Sequence, residues 1–222
     1  MTTVMIVGGT SGVGLELAKL FAQAEMDVYV TGREDPLADD LHFVHLDLST
    51  WHWLPSRVKA AVMQVPQIDL FIYAAGFYQE GRLDELDDVE IDRMMNVGLA
   101  APVFLLRTIL RMQDNLEAFI AITSTSQWTP RLLEPVYTAV KAGLAALAHS
   151  VSLDERVQQV LVAGPAAMAT PFWDEDGRDT TPMLDPAWVA EQITAELARN
   201  ERYREVAILR DPARVEERVS EK

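Results

Sequence analysis

Short apolar runs alternate along the chain with longer stretches of helical spacing. Residues 3–7 (TVMIV) are uniformly apolar apart from a threonine, and residues 13–24 place Val13, Leu17, Leu20 and Phe21 along one helical stripe. Residues 27–31 and 41–46 predict the second and third strands, and 55–65 a helix opened by a proline. Residues 69–74 form a continuous apolar run, the pattern of a strand buried on both faces. A long helix is expected over 89–112 with Pro102 as its kink, then a strand over 118–123 and a helix over 136–153. A strand over 157–163, a helix over 186–199 and a short last strand over 206–209 complete the series. Strand and helix repeated in this order predict an α/β fold: a doubly wound parallel sheet of about seven strands with helices on both faces. The chain, 1–222, reads as a single domain. Residues 172–185 (FWDEDGRDTTPMLD) are polar, acidic and without periodicity, so a surface loop is expected there; Trp128 and Trp173 fall near the expected site, as pocket lining or as core or loop packing. The charged tail, 211–222, is expected to fray.

Composition narrows the function classes. The 222 residues are 49% apolar and 24% charged, enough to bury a large core and no signature of disorder. A formal net charge of −15 repels nucleic acid and anionic lipid, so neither is an expected partner. With no cysteine there is no disulfide framework, thiolate zinc site or cysteine nucleophile. His42, His45, His52 and His149 do not make a metal-ligand set, so no metal is expected. The N-terminus reads as a strand, not a signal peptide, and no membrane span is expected. A cytoplasmic location is the resulting expectation.

The first chemistry lies between the first strand and the first helix. Gly8, Gly12 and Gly14 stand in the turn Gly8-Gly9-Thr10-Ser11-Gly12-Val13-Gly14. Glycines let a backbone approach phosphates, and the following helix offers unpaired N–H groups and a positive dipole end. Thr10, Ser11 and Val13 share the turn, and the hydroxyls add donors. This is the Rossmann-like signature of a dinucleotide site. The second strand ends Val30-Thr31-Gly32-Arg33, with no acid at its tip to bind a ribose 2′-hydroxyl. The Arg33 guanidinium can fork onto a 2′-phosphate, which favours NADP(H) over NAD(H). Glu34 and Asp35 follow, and an acid acting one or two places late is the alternative.

Tyr137 and Lys141 lie four apart on one expected helix and share its face. An ammonium beside a phenol favours the phenolate and pulls a pKa near ~10 toward acid–base use. The pair is common by chance, so its surroundings must carry it. A strand ends Ile122-Thr123-Ser124 thirteen residues earlier, at the sheet edge where ligands bind. Ser124 can hydrogen-bond a substrate oxygen, with Thr123, Thr125 and Ser126 as competing hydroxyls.

Together these residues resemble the short-chain dehydrogenase/reductase family in its compact, single-domain form. The resemblance implies that Asp47-Leu48 contacts the adenine and that Ala74-Ala75-Gly76 matches the family's Asn-Ala-Gly turn. It implies Ser124, Tyr137 and Lys141 as catalytic residues, Tyr137 and Lys141 also touching the cofactor, and Thr170 as a contact to the nicotinamide carboxamide. The implied function is NADP(H)-dependent interconversion of a small-molecule carbonyl and its alcohol, with Tyr137 as acid/base. The equivalent helices often build a homodimer or homotetramer. Three departures stand out. Gly98 sits where the family usually has an asparagine that supports a proton relay, and Asn96 points about 200° away on a regular helix. Ala74 replaces an asparagine, and Ala166 a glycine. The alternative is a non-catalytic or weakly catalytic NADP(H)-binding sensor or scaffold. The family's extended epimerase form needs a larger C-terminal region than the chain has after Thr170.

Overall fold

Thr3–Val7 (β1) is buried at every position, because helices cover both faces of the sheet at its centre. Val4 and Ile6 face one layer while Met5 and Val7 face the other, the alternation that a strand imposes. The structure, a computed structural model, describes residues 1–222 except the side chains of 174–176. The remaining strands are Asp27–Gly32 (β2), His42–His45 (β3), Leu70–Tyr73 (β4), Leu116–Ile122 (β5), Val157–Pro165 (β6), Tyr203–Arg210 (β7) and Ala213–Glu221 (β8). They form one sheet in the order β3-β2-β1-β4-β5-β6-β7-β8, parallel from β3 to β7 and antiparallel at β8. The expected doubly wound α/β architecture is borne out. Chain direction across the sheet reverses between β1 and β4, and the crevice beyond their carboxyl ends is where such sheets take ligands.

Gly12–Gln23 (α1) and Pro186–Leu197 (α6) cover one face, over Val4, Ile6, Ile72 and Ile120. Leu54–Val62 (α2), Ala101–Met112 (α4) and Pro135–Ser152 (α5) cover the other, over Met5, Phe71 and Phe119. Asp88–Met95 (α3) leads into α4.

Three expectations are corrected. The long helix is not continuous: Asn96–Ala100 is a π-helical turn, closed by the Ala101 N–H on the Asn96 carbonyl, between α3 and α4. The break precedes Pro102, which has no N–H to give the carbonyl four residues back, that of Gly98. Gly98 thus sits in a π turn, and the angle assigned to Asn96 from a regular helix does not apply. Asn96 itself is buried. The tail does not fray. Residues 213–221 pair with β7, and a bulge between Glu205 and Val206 shifts the register. That shift lets Val215 pack on one core layer and Val219 on the other, which straight alternation would forbid for residues four apart. The 172–185 segment is more than a surface loop. It follows a 3₁₀ turn, Pro171–Asp176, whose Trp173 is buried and donates to the Met168 carbonyl at 2.9 Å, while Leu184 is buried beside Ala167.

Candidate active site

The glycine turn is shaped by contact. Gly8 has φ +82°, and a Cβ on it would stand 2.6 Å from the Ala75 backbone, so the turn lies directly on the end of β4. Gly12 has φ +54°, and a Cβ on it would meet the Thr170 methyl at 3.3 Å, which brings the C-terminal third to the turn. The Thr10 side chain packs on Gly32 at the end of β2, just before the exposed Arg33. A Cβ on Gly14 would stand 2.2 Å from the Gly8 carbonyl, and Val13 is buried in the core beneath. Ser11 holds the N-cap position of α1, yet its hydroxyl makes no capping bond, and the helix's first turn carries no acid. A helix start with free N–H groups, an unused hydroxyl and no competing carboxylate is a fitting cradle for a phosphate.

Beyond β3, Asp47 accepts from the Ser49 N–H at 2.8 Å, and Leu48 is buried. Burial works against the Asp47 charge, but the Ser49 bonds and the nearby Arg57 and Arg33 hold its carboxyl below the ordinary value. Asp35 is committed elsewhere: its carboxylate accepts from the Leu37 N–H at 2.8 Å. Ala74 donates to the Val7 carbonyl at 2.8 Å, tying the ends of β1 and β4 together.

Ser124, Tyr137 and Lys141 converge at the same edge, all buried. Among the candidate hydroxyls Ser124 is the one near enough to Tyr137 to pull its phenol pKa down. It also accepts from the Ser126 N–H at 3.2 Å, so it caps a short turn as well. Thr123 turns away to the Ala163 carbonyl. Lys141 donates to the Ile122 carbonyl at 3.1 Å, and its ammonium lies 5.8 Å from the Tyr137 ring centre. The Gly76 Cα is beside that ammonium, a Cβ there falling 3.3 Å from Nζ. Lys141 therefore bridges α5 and the turn after β4.

The electrostatics correct one expectation. Burial pushes the Tyr137 phenol up to about 12, the Ser124 bond pulling it down, Glu134 raising it and Arg131 lowering it. Lys141 does not hold the phenol below its ordinary value, and burial lowers the lysine itself to about 8.

Of the neighbours, Glu134 was not singled out from sequence, whereas Trp128, Trp173, the segment around Tyr78 and the 172–185 loop were expected near the pocket. Glu134, one turn before Tyr137, accepts from the Tyr78 hydroxyl at 3.0 Å and from Ser126 Oγ at 2.8 Å. The i, i+3 spacing from Glu134 to Tyr137 was a legible signal. Tyr78 packs edge-on to Tyr137 at 5.6 Å, and Phe172 and Trp173 pack on Tyr78. Arg178 covers the Tyr78 and Trp173 rings and pairs with Glu80. Trp128 is held against Gly164, with Arg218 of β8 over its ring.

The chain matches the family model for short chain dehydrogenases over residues 2–181. It is 30% identical to an uncharacterized oxidoreductase, DltE, of Bacillus subtilis, over 70% of this chain and 65% of that protein. It is 27% identical to an uncharacterized oxidoreductase of Thermotoga maritima, over 82% and 77%. The chain spans about half to two thirds of the length of the first curated relatives, 48% of the short-chain dehydrogenase/reductase prx4 of Penicillium rubens. Among solved structures, a short-chain dehydrogenase from Sphingobium yanoikuyae, in complex with NADPH, superposes with a TM-score of 0.80 at 21% identity, over 96% of this chain and 89% of that one. A second, from Vibrio parahaemolyticus, gives 0.80 at 24% identity, over 93% and 99%. Sheet order, glycine turn and family match agree, and the chain belongs to the short-chain dehydrogenase/reductase family.

Proposed function

We propose that the protein is an NADP(H)-dependent oxidoreductase that interconverts a small-molecule carbonyl and its alcohol. The observation that carries this reading is the meeting of buried Ser124, Tyr137 and Lys141 at the sheet edge, with the Lys141 ammonium beside Gly76. The nicotinamide group, when bound, supplies or accepts the hydride.

The residues fit that cofactor. Gly8, Gly12 and the Ser11 hydroxyl would hold the pyrophosphate at the start of α1, with Thr10, Val13 and Gly14 shaping the turn. Asp47 and Leu48 would border the adenine, Ala74, Ala75 and Gly76 the ribose side, and Thr170 the carboxamide. Arg33 favours the 2′-phosphate of NADP(H), and Asp35, tied to Leu37, is poorly placed to compete.

Ser124 donates to the substrate oxygen and keeps it beside Tyr137. Tyr137 Oη gives its proton to that oxygen in reduction and takes it back in oxidation. A phenol raised to about 12 stays protonated across neutral pH, which suits the donor role. Lys141 orients the ribose hydroxyls near Gly76 and compensates the phenolate left after transfer. Tyr78, Phe172 and Trp173 screen the site from water. The setting is cytoplasmic, and the exposed faces of α4 and α5 would pair two or four copies.

Tyr137→Phe tests the reading. Turnover of an aldehyde and ketone panel should fall by about 10²–10⁴-fold with NADPH affinity within twofold. Full activity in that variant overturns it. A second reading, an NADP(H)-binding sensor with little catalysis, is favoured by Gly98. NADPH binding without oxidation across the same panel would select it.

A further inference from the structure

A file of side chains leads from the site toward the surface. Ser124 Oγ donates to Ser126 Oγ at 3.2 Å, and Ser126 Oγ donates to Glu134 Oε2 at 2.8 Å. Ser124 lies beside Tyr137 at the inner end, near enough to act on its phenol, and both are buried. Both serines are buried, and the Glu134 side chain is 12% exposed, so the file runs from the phenol to the surface in three steps. Hydroxyls donate and accept, so such a file carries a proton in either polarity. Gly98 offers no equivalent: it has no side chain, and its neighbour Val140 is apolar.

We propose that Ser124, Ser126 and Glu134 form a proton wire that returns Tyr137 to its protonated state, with Glu134 as the relay residue at the solvent end. The proposal rests on the oxidoreductase reading above. In reduction, the Tyr137 Oη–H bond breaks as the substrate O–H forms. Glu134, a carboxylate at rest, takes a proton from solvent; Ser124 then passes its proton to the Tyr137 phenolate, Ser126 to Ser124, and Glu134 to Ser126, which restores the carboxylate. Each hydroxyl ends with one proton, and one proton enters per carbonyl reduced. Delivery runs downhill, because a carboxylic acid is a stronger acid than a phenol.

The charges around the wire are consistent with this use. From the loop before α5, Arg131 donates to Ser126 Oγ at 2.5 Å and to Glu134 Oε2 at 2.9 Å, holding both in line. Tyr78 fixes the other carboxylate oxygen, and Arg178 of the 171–178 segment lies over the Tyr78 ring, paired with Glu80. Lys141 faces Tyr137 from the next turn of α5. The negative charge of Glu134 also favours the protonated phenol.

Three variants test the wire: Glu134→Gln, Glu134→Asp and Ser126→Ala. The rate is read with NADPH and the fastest aldehyde or ketone of the panel. Glu134→Gln should lower kcat at least tenfold and enlarge the solvent deuterium isotope effect on kcat, with NADPH affinity within twofold. Its alkaline limb in kcat/KM should move to lower pH. Glu134→Asp should recover part of kcat. Ser126→Ala should lose kcat as Glu134→Gln does but keep the limb in place, separating proton transfer from charge. An independent readout needs no turnover. In ¹³Cζ-tyrosine-labelled protein, the Tyr137 resonance, assigned by Tyr137→Phe, should begin to titrate at lower pH in Glu134→Gln than in wild type. A kcat within twofold of wild type in both Glu134→Gln and Ser126→Ala overturns the wire, as does an unmoved Tyr137 titration in Glu134→Gln. If wild type turns over nothing in the panel, the oxidoreductase reading fails instead, and the resonance still decides whether Glu134 couples to Tyr137.

Discussion

A Cβ on Gly98 would stand 2.5 Å from Val140 Cγ2 and 2.6 Å from Val140 Cβ, so the π turn and α5 touch backbone to side chain. The Val140 Cβ is fixed to its helix and cannot rotate away. The family's asparagine therefore does not fit here without moving one helix. Gly98→Asn should cost about 1–3 kcal/mol by overpacking, which exceeds the few tenths of a kcal/mol, roughly, that asparagine gains over glycine in a helix. The melting temperature should fall by roughly 2–4 °C per kcal/mol for a chain of this size, and turnover should not rise. A variant that melts at or above wild type would show that the helices are not in tight contact.

Lys141 is buried with its ammonium pKa lowered to about 8 from 10.5. The sign of its effect on stability follows from proton counting. Between pH 8 and 10.5 the unfolded chain still binds the proton that the folded chain has released, so wild-type stability rises with pH across that window. At pH 7 the charged form is penalised by on the order of 3 kcal/mol. Lys141→Met should thus melt above wild type at pH 7, and the gap should close as pH climbs toward 10.5. Turnover should be lost throughout. Equal melting at pH 7 would contradict a buried charge at this position.

Much of this site is local and was readable for that reason. The Gly8–Gly14 turn, the end of β2 at Arg33 and the Tyr137–Lys141 pair each rest on spacing within one element. The parallel order of β1 to β7 follows from alternating strands and helices. What escaped was set by contacts between distant segments. Nothing in residues 213–221 announces a strand, because Val215 and Val219 reach opposite core layers through a bulge set by β7. The close approach of Gly98 to Val140 and the bond of the buried Trp173 to the Met168 carbonyl both join segments far apart in the chain. The relation of Tyr137 to Lys141 was read as simple attraction. Burial, invisible in spacing, outweighs it and raises the phenol.

Arg33 is exposed at the end of β2, with the competing Asp35 tied to the Leu37 N–H. A charge-assisted fork onto a phosphate contributes about 1.5–3 kcal/mol. Arg33→Ala should therefore weaken NADPH by about tenfold or more while leaving NADH within twofold, as read by nicotinamide fluorescence titration. Equal losses for both cofactors would assign Arg33 a general role at the turn and remove the preference for NADP(H).

Arg204 on β7 is buried and meets three carboxylates, Glu196 at 2.5 Å, Glu201 at 2.8 Å and Glu217 at 2.6 Å. Burial opposes its charge, but the three partners raise its pKa further, so it stays protonated at any working pH. Glu217 belongs to β8, and through it the guanidinium fastens the final strand to the sheet. The partners are unequal. Glu196 is itself buried, with Arg199 as its other cation at 3.1 Å, whereas the Glu217 side chain is 53% exposed. Arg204→Met should cost about 3–5 kcal/mol, because it leaves the Glu196 charge buried beside an apolar group. Glu217→Gln should cost under about 1 kcal/mol, since water replaces what an exposed partner loses. Thermal unfolding of the two variants gives the comparison, and NADPH affinity below the transition should be unchanged in both. If the two melt alike, the cluster is held by solvent-screened attraction, and β8 owes its place to its ladder with β7 and to Val215 and Val219.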